Sequence, residues 1–182
     1  MLEKTLIAYG SPTLARLKTG SLFAAPCACS TLAAEIARLN EILIPRGVRL
    51  TALHGRQERT LLFLYREREL DETLHRSDVQ ALLSRYGYSD FSVPSALRCL
   101  SERLRAAPGF PHEIGVFLGY PLEDVIGFIV NSGRNYLCSG CWKAYGNERE
   151  ARHAFARLHK CSAVYGRMFA AGYPLTRLTV RS

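Results

Sequence analysis

Apolar residues recur every three or four positions in four long segments of the chain. This period places them on one face of a helix. Turn and capping residues bound the segments, and Asn147 with Glu150 has the spacing of a capping box. We therefore predict helices from Ser30 to the Pro45-Arg46-Gly47 stop, from Leu70 to Tyr86 with a second start at Ser77-Asp78, from Ser92 to Ala107, and from Asn147 to the Gly172-Tyr173-Pro174 stop.

Four other segments have the features of β-strands. Val48 to Leu53 alternates apolar and polar residues, and Thr60 to Tyr65 is almost continuously apolar. With the turn residues His54 to Glu58 they predict a hairpin whose second strand is buried on both faces and lies inside the sheet. Tyr136 to Tyr145 predicts a third strand, and Leu175 to Val180 predicts an edge strand. The expected fold is α/β (α+β), a mixed and largely antiparallel sheet of about four strands packed with helices.

The stretch from Phe110 to Phe128 contains one local design twice. Phe110-Pro111-His112-Glu113 recurs ten residues later as Tyr120-Pro121-Leu122-Glu123. A proline suits the first position of a helix, and a glutamate two residues later faces the positive end of the helix dipole. Gly119 suits the left-handed position that closes a helix. The stretch predicts two short helices joined by a tight Gly-Tyr-Pro corner.

The segment from Leu6 to Leu22 carries turn and capping residues around two short apolar pieces. We expect a loop that enters a short helix capped near Ser11 or Thr13. The alternative is an anion cradle that includes Lys18. The stretch lacks, however, the glycines and the Gly-Lys-Ser/Thr ending of a phosphate loop.

Composition narrows the class of protein. With 182 residues and 48% hydrophobic content, the chain can bury a substantial core, and we expect one domain over residues 1–182. The net charge of +8 suggests nucleic acid, but the basic residues are dispersed and only four are lysines. No segment has the length and apolarity of a membrane span, and the first residues lack a signal-peptide pattern. We expect a cytoplasmic protein, with nucleic acid an unfavoured partner and no membrane association.

Several motifs resemble those of a bacterial family of unknown function. The two most specific are Pro-His-Glu at Pro111 to Glu113 and Leu-Gly-Tyr-Pro at Leu118 to Pro121; the others are Ser11 to Ala15, Leu39-Asn40, Tyr65-Arg66 and Trp142 to Tyr145. Over nearly its full length the chain is similar to the DUF3793 family. The resemblance implies a bacterial protein and supplies no activity or cofactor.

His112 and Glu113 are the first candidates for a site. A histidine in a first helical turn is a candidate base or ligand, and a neighbouring glutamate can orient a group or accept a proton. Adjacent helical residues point about 100° apart, so these two cannot form a dyad with each other. The zinc-protease pattern His-Glu-x-x-His fails at Val116. The alternative is structural, with Glu113 as a dipole and capping residue and His112 as a hydrogen-bonding residue.

Arg66 and Lys143 are the cations expected nearest a ligand carboxylate or phosphate. Arg66 leaves a buried strand, Lys143 follows Trp142, and Thr13 and Tyr120 complete the proposed ligand-binding set. Each cation is alternatively an ordinary ion-pair partner. The leading hypothesis is a site for a small anionic ligand, with or without catalysis, where these residues meet His112 and Glu113.

A rival hypothesis uses residues 111–129 differently. Their spacing also satisfies a helix-turn-helix, which suggests a non-enzymatic adaptor or a DNA-binding regulator. The second helix, however, begins with Glu123 and Asp124, which repel phosphates, and it lacks the residues that read base edges. A protein partner or a second copy of the chain stays open.

The cysteines suggest a metal site only weakly. Cys27 and Cys29 with Cys138 and Cys141 have enough thiolates for zinc or an iron–sulfur cluster. Side chains at 138 and 141 of a regular strand point to opposite faces unless Ser139-Gly140 forms a bulge or turn. Because six cysteines in a cytosolic chain also argue against a disulfide scaffold, we expect buried free thiols.

Overall fold

A three-stranded antiparallel sheet lies at the centre of the molecule. In the computed structural model, which describes residues 2–25, 31–54, 60–106 and 110–181, the strands pair in the order β1-β3-β2. They are β1 (Gly20–Ala24), β2 (Val48–His54) and β3 (Thr60–Arg66). Phe63 of β3 lies opposite Leu22 on one side and Thr51 on the other. The predicted hairpin strands and the interior position of the second are confirmed, and the connecting residues 55–59 lie outside the described residues.

β3 contributes to two hydrophobic cores. Its side chains alternate between the two faces of the sheet, as strand geometry requires. Phe63 and Tyr65 belong to one core, and Leu62 and Leu64 belong to the other. This double burial explains why the strand is almost continuously apolar in sequence.

Helices cover both faces of the sheet. Their bounds are α1 (Leu2–Leu14), α2 (Leu32–Leu43), α3 (Glu67–Leu74), α4 (Ser77–Ser84), α5 (Val93–Ala106), α6 (Ile114–Phe117), α7 (Leu122–Val130) and α8 (Glu148–Ala170). Residues of α1, α2 and α8 pack on the Leu64 face. Residues of α3 to α7 pack on the Phe63 face. The result is a single α+β domain, so the expected fold class is confirmed.

The predicted helix boundaries agree with the structure in most of the chain. A short 3-10 turn, Ile44–Arg46, follows α2 and ends at Gly47, whose φ of +74° suits glycine. The Asn147 side chain caps α8 by accepting a hydrogen bond of 3.2 Å from the Glu150 N–H. Ser30 and Ala107, which are predicted helix ends, lie outside the described residues.

The prediction for Leu6 to Leu22, a loop that enters a short helix capped near Ser11 or Thr13, is wrong. Ser11 to Thr13 lie in the last turns of α1 instead of at a helix start, and Pro12 is inside the helix. Close packing explains the difference. A Cβ on Gly10 would lie 2.5 Å from Leu64 Cδ2, so the small residues of α1 let the helix approach the sheet. Burial there outweighs the turn preferences of these residues.

Two strand predictions are also wrong. Tyr136 to Tyr145 is not one strand but contains a small antiparallel pair, β4 (Cys138–Ser139) and β5 (Lys143–Ala144), so there are five strands in two sheets within the described residues. The segment from Leu175 to Val180 forms turns instead of a strand. Leu175 and Leu178 are both buried, three residues apart, and the Leu178 N–H donates to the Leu175 carbonyl at 3.1 Å. A turn of helical type therefore produces a spacing of apolar residues that resembles the alternation of a strand.

Across the described ranges, no helix is both long enough and apolar enough to cross a membrane.

Candidate functional site

The corner between α6 and α7 forms one wall of the candidate site. The two short helices and the corner that joins them are confirmed, although α6 begins only after Glu113 and α7 only after Pro121. Gly119 has a φ of +74°. A Cβ on Gly115 would lie 2.7 Å from Val125 Cγ2, so this glycine permits α6 and α7 to pack closely.

A cavity of about 380 Å³ lies between this corner and the β4–β5 hairpin. Three of the predicted site residues line it, namely His112, Tyr120 and Lys143. Most of the remaining lining is apolar or aromatic, and includes Phe110, Ile114, Leu118, Val125, Phe128 and Trp142. An apolar cavity with a few converging polar groups is the usual form of a small-molecule site.

Aromatic rings flank two polar groups of this cavity, His112 and Lys143. The His112 ring is exposed and its centroid lies 4.8 Å from that of Phe128. Lys143 Nζ lies 5.7 Å from the Phe128 centroid and 4.8 Å from the Tyr136 centroid. It also donates a hydrogen bond of 2.7 Å to the Gly133 carbonyl. The ammonium therefore lies beside the aromatic wall with one hydrogen bond to the main chain.

Tyr120 and Trp142 form the second wall. Their rings stack with centroids 5.0 Å apart, and the Tyr120 hydroxyl donates a hydrogen bond of 3.1 Å to the Cys141 carbonyl. Burial raises the pKa of Tyr120 to about 12, so the phenol stays protonated at neutral pH. Because its single O–H is engaged by the Cys141 carbonyl, the Tyr120 oxygen can accept a hydrogen bond from a ligand but does not act as a base.

Asp124 connects this wall to α7, and sequence reasoning missed its role. Its carboxylate is buried and accepts three hydrogen bonds, from Trp142 Nε1 at 2.7 Å, the Tyr145 N–H at 2.6 Å and the Gly146 N–H at 3.0 Å. From the sequence alone, Asp124 is only a first-turn charge that repels phosphates. Its partners are 18 to 22 residues away, and no local pattern identifies them.

Glu113 is not brought together with His112. Its side chain is 1% exposed and accepts hydrogen bonds from the Arg103 guanidinium and, at 3.4 Å, from the Tyr88 hydroxyl. It makes no side-chain capping hydrogen bond to α6. Glu113 thus joins α6 to α5 through an ion pair with the half-buried Arg103 and lies outside the lining of the cavity.

Arg66 and Thr13 also lie apart from the cavity lining. Arg66 is completely buried, and its guanidinium donates to the main-chain carbonyls of Thr13, Leu14 and Val180 at 2.7, 2.7 and 2.8 Å. The Thr13 and Ser21 hydroxyls are 2.9 Å apart and hydrogen-bonded. The expected meeting of Arg66 and Thr13 with Lys143 and His112 is therefore absent from the described structure.

The cysteines do not assemble a metal site within the described ranges. Cys27 and Cys29 lie outside those ranges. The β4–β5 turn bends the chain between Cys138, which is buried, and Cys141, which is half-buried. Where side chains are described, no three of the histidine, cysteine, aspartate or glutamate residues are grouped to hold a metal.

A second cavity, of about 310 Å³, lies on the other side of Trp142. Lys18 lines it, and Lys18 Nζ lies 5.0 Å from the Tyr120 centroid. Sequence reasoning considered Lys18 only as part of an anion cradle with Thr13. The two side chains do not share this cavity.

Comparisons with known proteins give one family. Neither the curated proteins nor the solved structures contain a match to the chain. A family model described as "Protein of unknown function (DUF3793)" matches residues 6–179 of the 182. The match covers nearly the whole chain and agrees with the resemblance that the central motifs suggested, so this protein belongs to the DUF3793 family.

Proposed function

We propose that this protein binds a small ligand with a flat apolar body and an anionic group in the cavity between the α6–α7 corner and the β4–β5 hairpin. The observation that carries the proposal is the convergence of His112, Tyr120 and Lys143 on a cavity walled by Phe128 and Trp142. The aromatic walls suit the flat body, and the ammonium suits the anion.

Lys143 is the group best placed to hold the anion. Among the described residues no carboxylate lies within ion-pair distance of its ammonium, which contacts a carbonyl and two aromatic rings. A ligand carboxylate adds the countercharge that this ammonium lacks. A charge-assisted hydrogen bond of this kind contributes about 1.5–3 kcal/mol.

His112 would carry any catalytic step. Its ring is exposed at the cavity beside Phe128, and the Glu113 carboxylate forms an ion pair with Arg103. His112 therefore acts without a carboxylate partner from the adjacent residue. The proposed function is ligand binding. An enzymatic function would add a proton transfer by His112.

We also propose that the protein is located in the bacterial cytoplasm. Cys99, Cys138, Cys141 and Cys161 are free thiols in the described structure. Free cysteines are typical of proteins kept in a reducing compartment.

Trp142 offers a direct test, because it is the one tryptophan of the chain and lines the cavity. We would titrate the protein with benzoate, 2-naphthoate and indole-3-acetate and follow binding by calorimetry. For benzoate, which absorbs at shorter wavelength than indole and so does not obscure its signal as the two larger probes do, Trp142 fluorescence gives a second readout. At least one carboxylate should bind more tightly than its neutral carboxamide. In Lys143→Met the carboxylate affinity should fall by roughly 10- to 100-fold, while carboxamide affinity should change little.

Lys160→Met is the matched control, because Lys160 is exposed on α8 and does not line the cavity. It should leave both affinities unchanged. Equal binding of acids and amides, or an equal loss in the two lysine variants, would refute the role of Lys143. Absence of binding by every probe would count against the ligand class.

One observation favours a second candidate function, a non-enzymatic adaptor. Ile126 and Val130 are four residues apart on α7, on one face of the helix, and are 41% and 75% exposed. An exposed apolar face is typical of protein contacts and unsuited to DNA. Sedimentation of the wild-type protein and of Val130→Glu checks for self-association. A monomer in both removes the second copy of the chain as the partner.

A further inference from the structure

Lys18 occupies the second cavity, and its backbone is firmly held. It lies in the short connection between α1 and β1. Next to it, the Thr19 carbonyl accepts a hydrogen bond of 2.9 Å from the Arg66 N–H. A Cβ on Gly119 would lie 2.6 Å from Thr19 Oγ1, so the connection packs tightly against the corner. The Lys18 side chain therefore extends into the cavity from a well-packed segment of main chain.

The surroundings of the Lys18 amine disfavour its charged form. The side chain is half-buried, and among the described residues no carboxylate lies within ion-pair distance of it. Burial lowers the pKa of Lys18 to about 8, and the opposing effect of the Cys141 thiol is smaller. The face of the Tyr120 ring is the aromatic contact of the ammonium.

The charged groups that share the cavity are otherwise engaged or lie at its rim. Asp124 accepts its three N–H donors. The Glu123 carboxylate packs over Gly146, where an added Cβ would lie 2.2 Å from the carboxyl carbon. Glu150 and Arg157 line the cavity from exposed positions on α8. Arg157 is therefore the cation available to an anionic substituent of a ligand.

We propose that Lys18 is a covalent binding site that forms a Schiff base with a small aldehyde or ketone bearing a carboxylate. The geometry that carries the proposal is an amine without a carboxylate partner, in a cavity of about 310 Å³ that also contains Arg157. The proposal goes beyond the ligand cavity of His112 and does not depend on it. Lysines whose amine is partly desolvated and lacks a carboxylate partner are the residues that carry out this chemistry in proteins.

The step conserves atoms and electrons. The lone pair of Lys18 Nζ attacks the carbonyl carbon, a C–N bond forms as the C–O π bond breaks, and a proton passes from the nitrogen to the oxygen to give a neutral carbinolamine. The remaining C–O bond then breaks, and the hydroxyl leaves as water with the second proton of the nitrogen. The net change is amine plus carbonyl to imine plus water, without an oxidant or reductant. A desolvated amine favours the first step because only its neutral form is a nucleophile.

The test uses glyoxylate, the smallest aldehyde that carries a carboxylate, with sodium cyanoborohydride to reduce the imine to a stable amine. The folded protein is labelled at pH 7.5, and peptide mapping by mass spectrometry compares Lys4, Lys18, Lys143 and Lys160, which are all the lysines of the chain, and separates them from the α-amino group. An ordinary lysine, with a pKa near 10.4, has on the order of 0.1% free amine at this pH. Lys18 should therefore be labelled at least about 10-fold faster than exposed Lys160.

The pH dependence and unfolding give internal controls. The labelling rate at Lys18 should rise up to about pH 8 and then level off, whereas that at Lys160 should keep rising. In guanidinium chloride the preference should disappear. Equal labelling of the four lysines in the folded protein, or protection of Lys18 relative to Lys160, would overturn the proposal.

Two variants test the anionic part of the ligand. Arg157→Met should slow labelling of Lys18 by glyoxylate but not by acetaldehyde, whereas Arg149→Met, an exposed change on the same helix, should slow neither. If Arg157→Met slows both aldehydes equally or neither, the carboxylate requirement is wrong. Circular dichroism of each variant checks that the fold is retained.

Discussion

The guanidinium of Arg66 is completely buried and held by main-chain carbonyls. An interior charge is tolerated only where its donors are satisfied, and carbonyls from three positions do this here. In the sequence Arg66 appears as a cation at the end of a buried strand, which is also where a ligand-binding arginine stands. Local spacing cannot show that the end of α1 and the segment at Val180 enclose it.

We expect Arg66→Lys to lower the free energy of unfolding by about 2–4 kcal/mol. A compact ammonium lacks the fork that reaches the carbonyls of Thr13, Leu14 and Val180 together, so acceptors are left without donors. Urea denaturation followed by circular dichroism measures the loss. Arg68→Lys is the control, because Arg68 is 71% exposed and pairs with Glu72 on the surface. Similar losses in both variants would contradict the structural role of Arg66.

At the scale of elements, the α6–α7 corner could be predicted from sequence and the β4–β5 hairpin could not. The corner is formed by local preferences, the prolines and Gly119, which act within a few residues. The hairpin depends on Asp124, whose carboxylate accepts main-chain N–H groups from Tyr145 and Gly146. The sequence identifies three residues that line the candidate site. It also includes Arg66, Thr13 and Glu113, because no local pattern shows that these three lie outside the cavity.

Asp124→Asn should detach this hairpin from α7. The amide nitrogen of asparagine faces N–H donors in place of a carboxylate oxygen, and we expect a loss of about 2–3 kcal/mol of unfolding free energy. The emission of Trp142 should shift to the red because its indole loses its acceptor and gains water. Urea denaturation and fluorescence spectra measure the two effects.

Glu123→Gln is the matched control for Asp124→Asn, because the neighbouring side chain is exposed and accepts none of these hydrogen bonds. It should change stability by less than about 0.5 kcal/mol. An Asp124→Asn protein with unchanged stability and emission would show that the hairpin is held by its apolar contacts alone.

At the scale of the molecule, sequence periodicity was sufficient for the fold class but not for the sheet topology. The continuous apolar run of β3 correctly indicated an interior strand. The segment from Leu175 to Val180 was assigned to the sheet because three apolar residues over six positions fit alternation nearly as well as a helical turn. Packing of Leu175 and Leu178 in one core with α1 and α2 stabilises the turn instead of a strand. These contacts are distant in sequence, so no local pattern indicates them.

Because β3 belongs to both cores, we expect the two sides of the sheet to unfold together. Phe63→Ala and Leu64→Ala, which affect opposite faces, should each cost about 3–5 kcal/mol of unfolding free energy. Circular dichroism and Trp142 fluorescence should report coincident urea transitions in both variants. Ala24→Ser, at the exposed end of β1, is the control. Separate transitions would indicate two units that fold independently.

The carbonyls around Arg66 also have a consequence for folding kinetics. Its partners are 53 residues earlier, at Thr13, and 114 residues later, at Val180. Because the charge can leave water at low cost only after both segments have arrived, we expect its burial to belong to the final steps of folding. Changes at late-forming contacts act mainly on the rate of unfolding. Arg66 therefore governs how long the folded state persists more than how fast it forms.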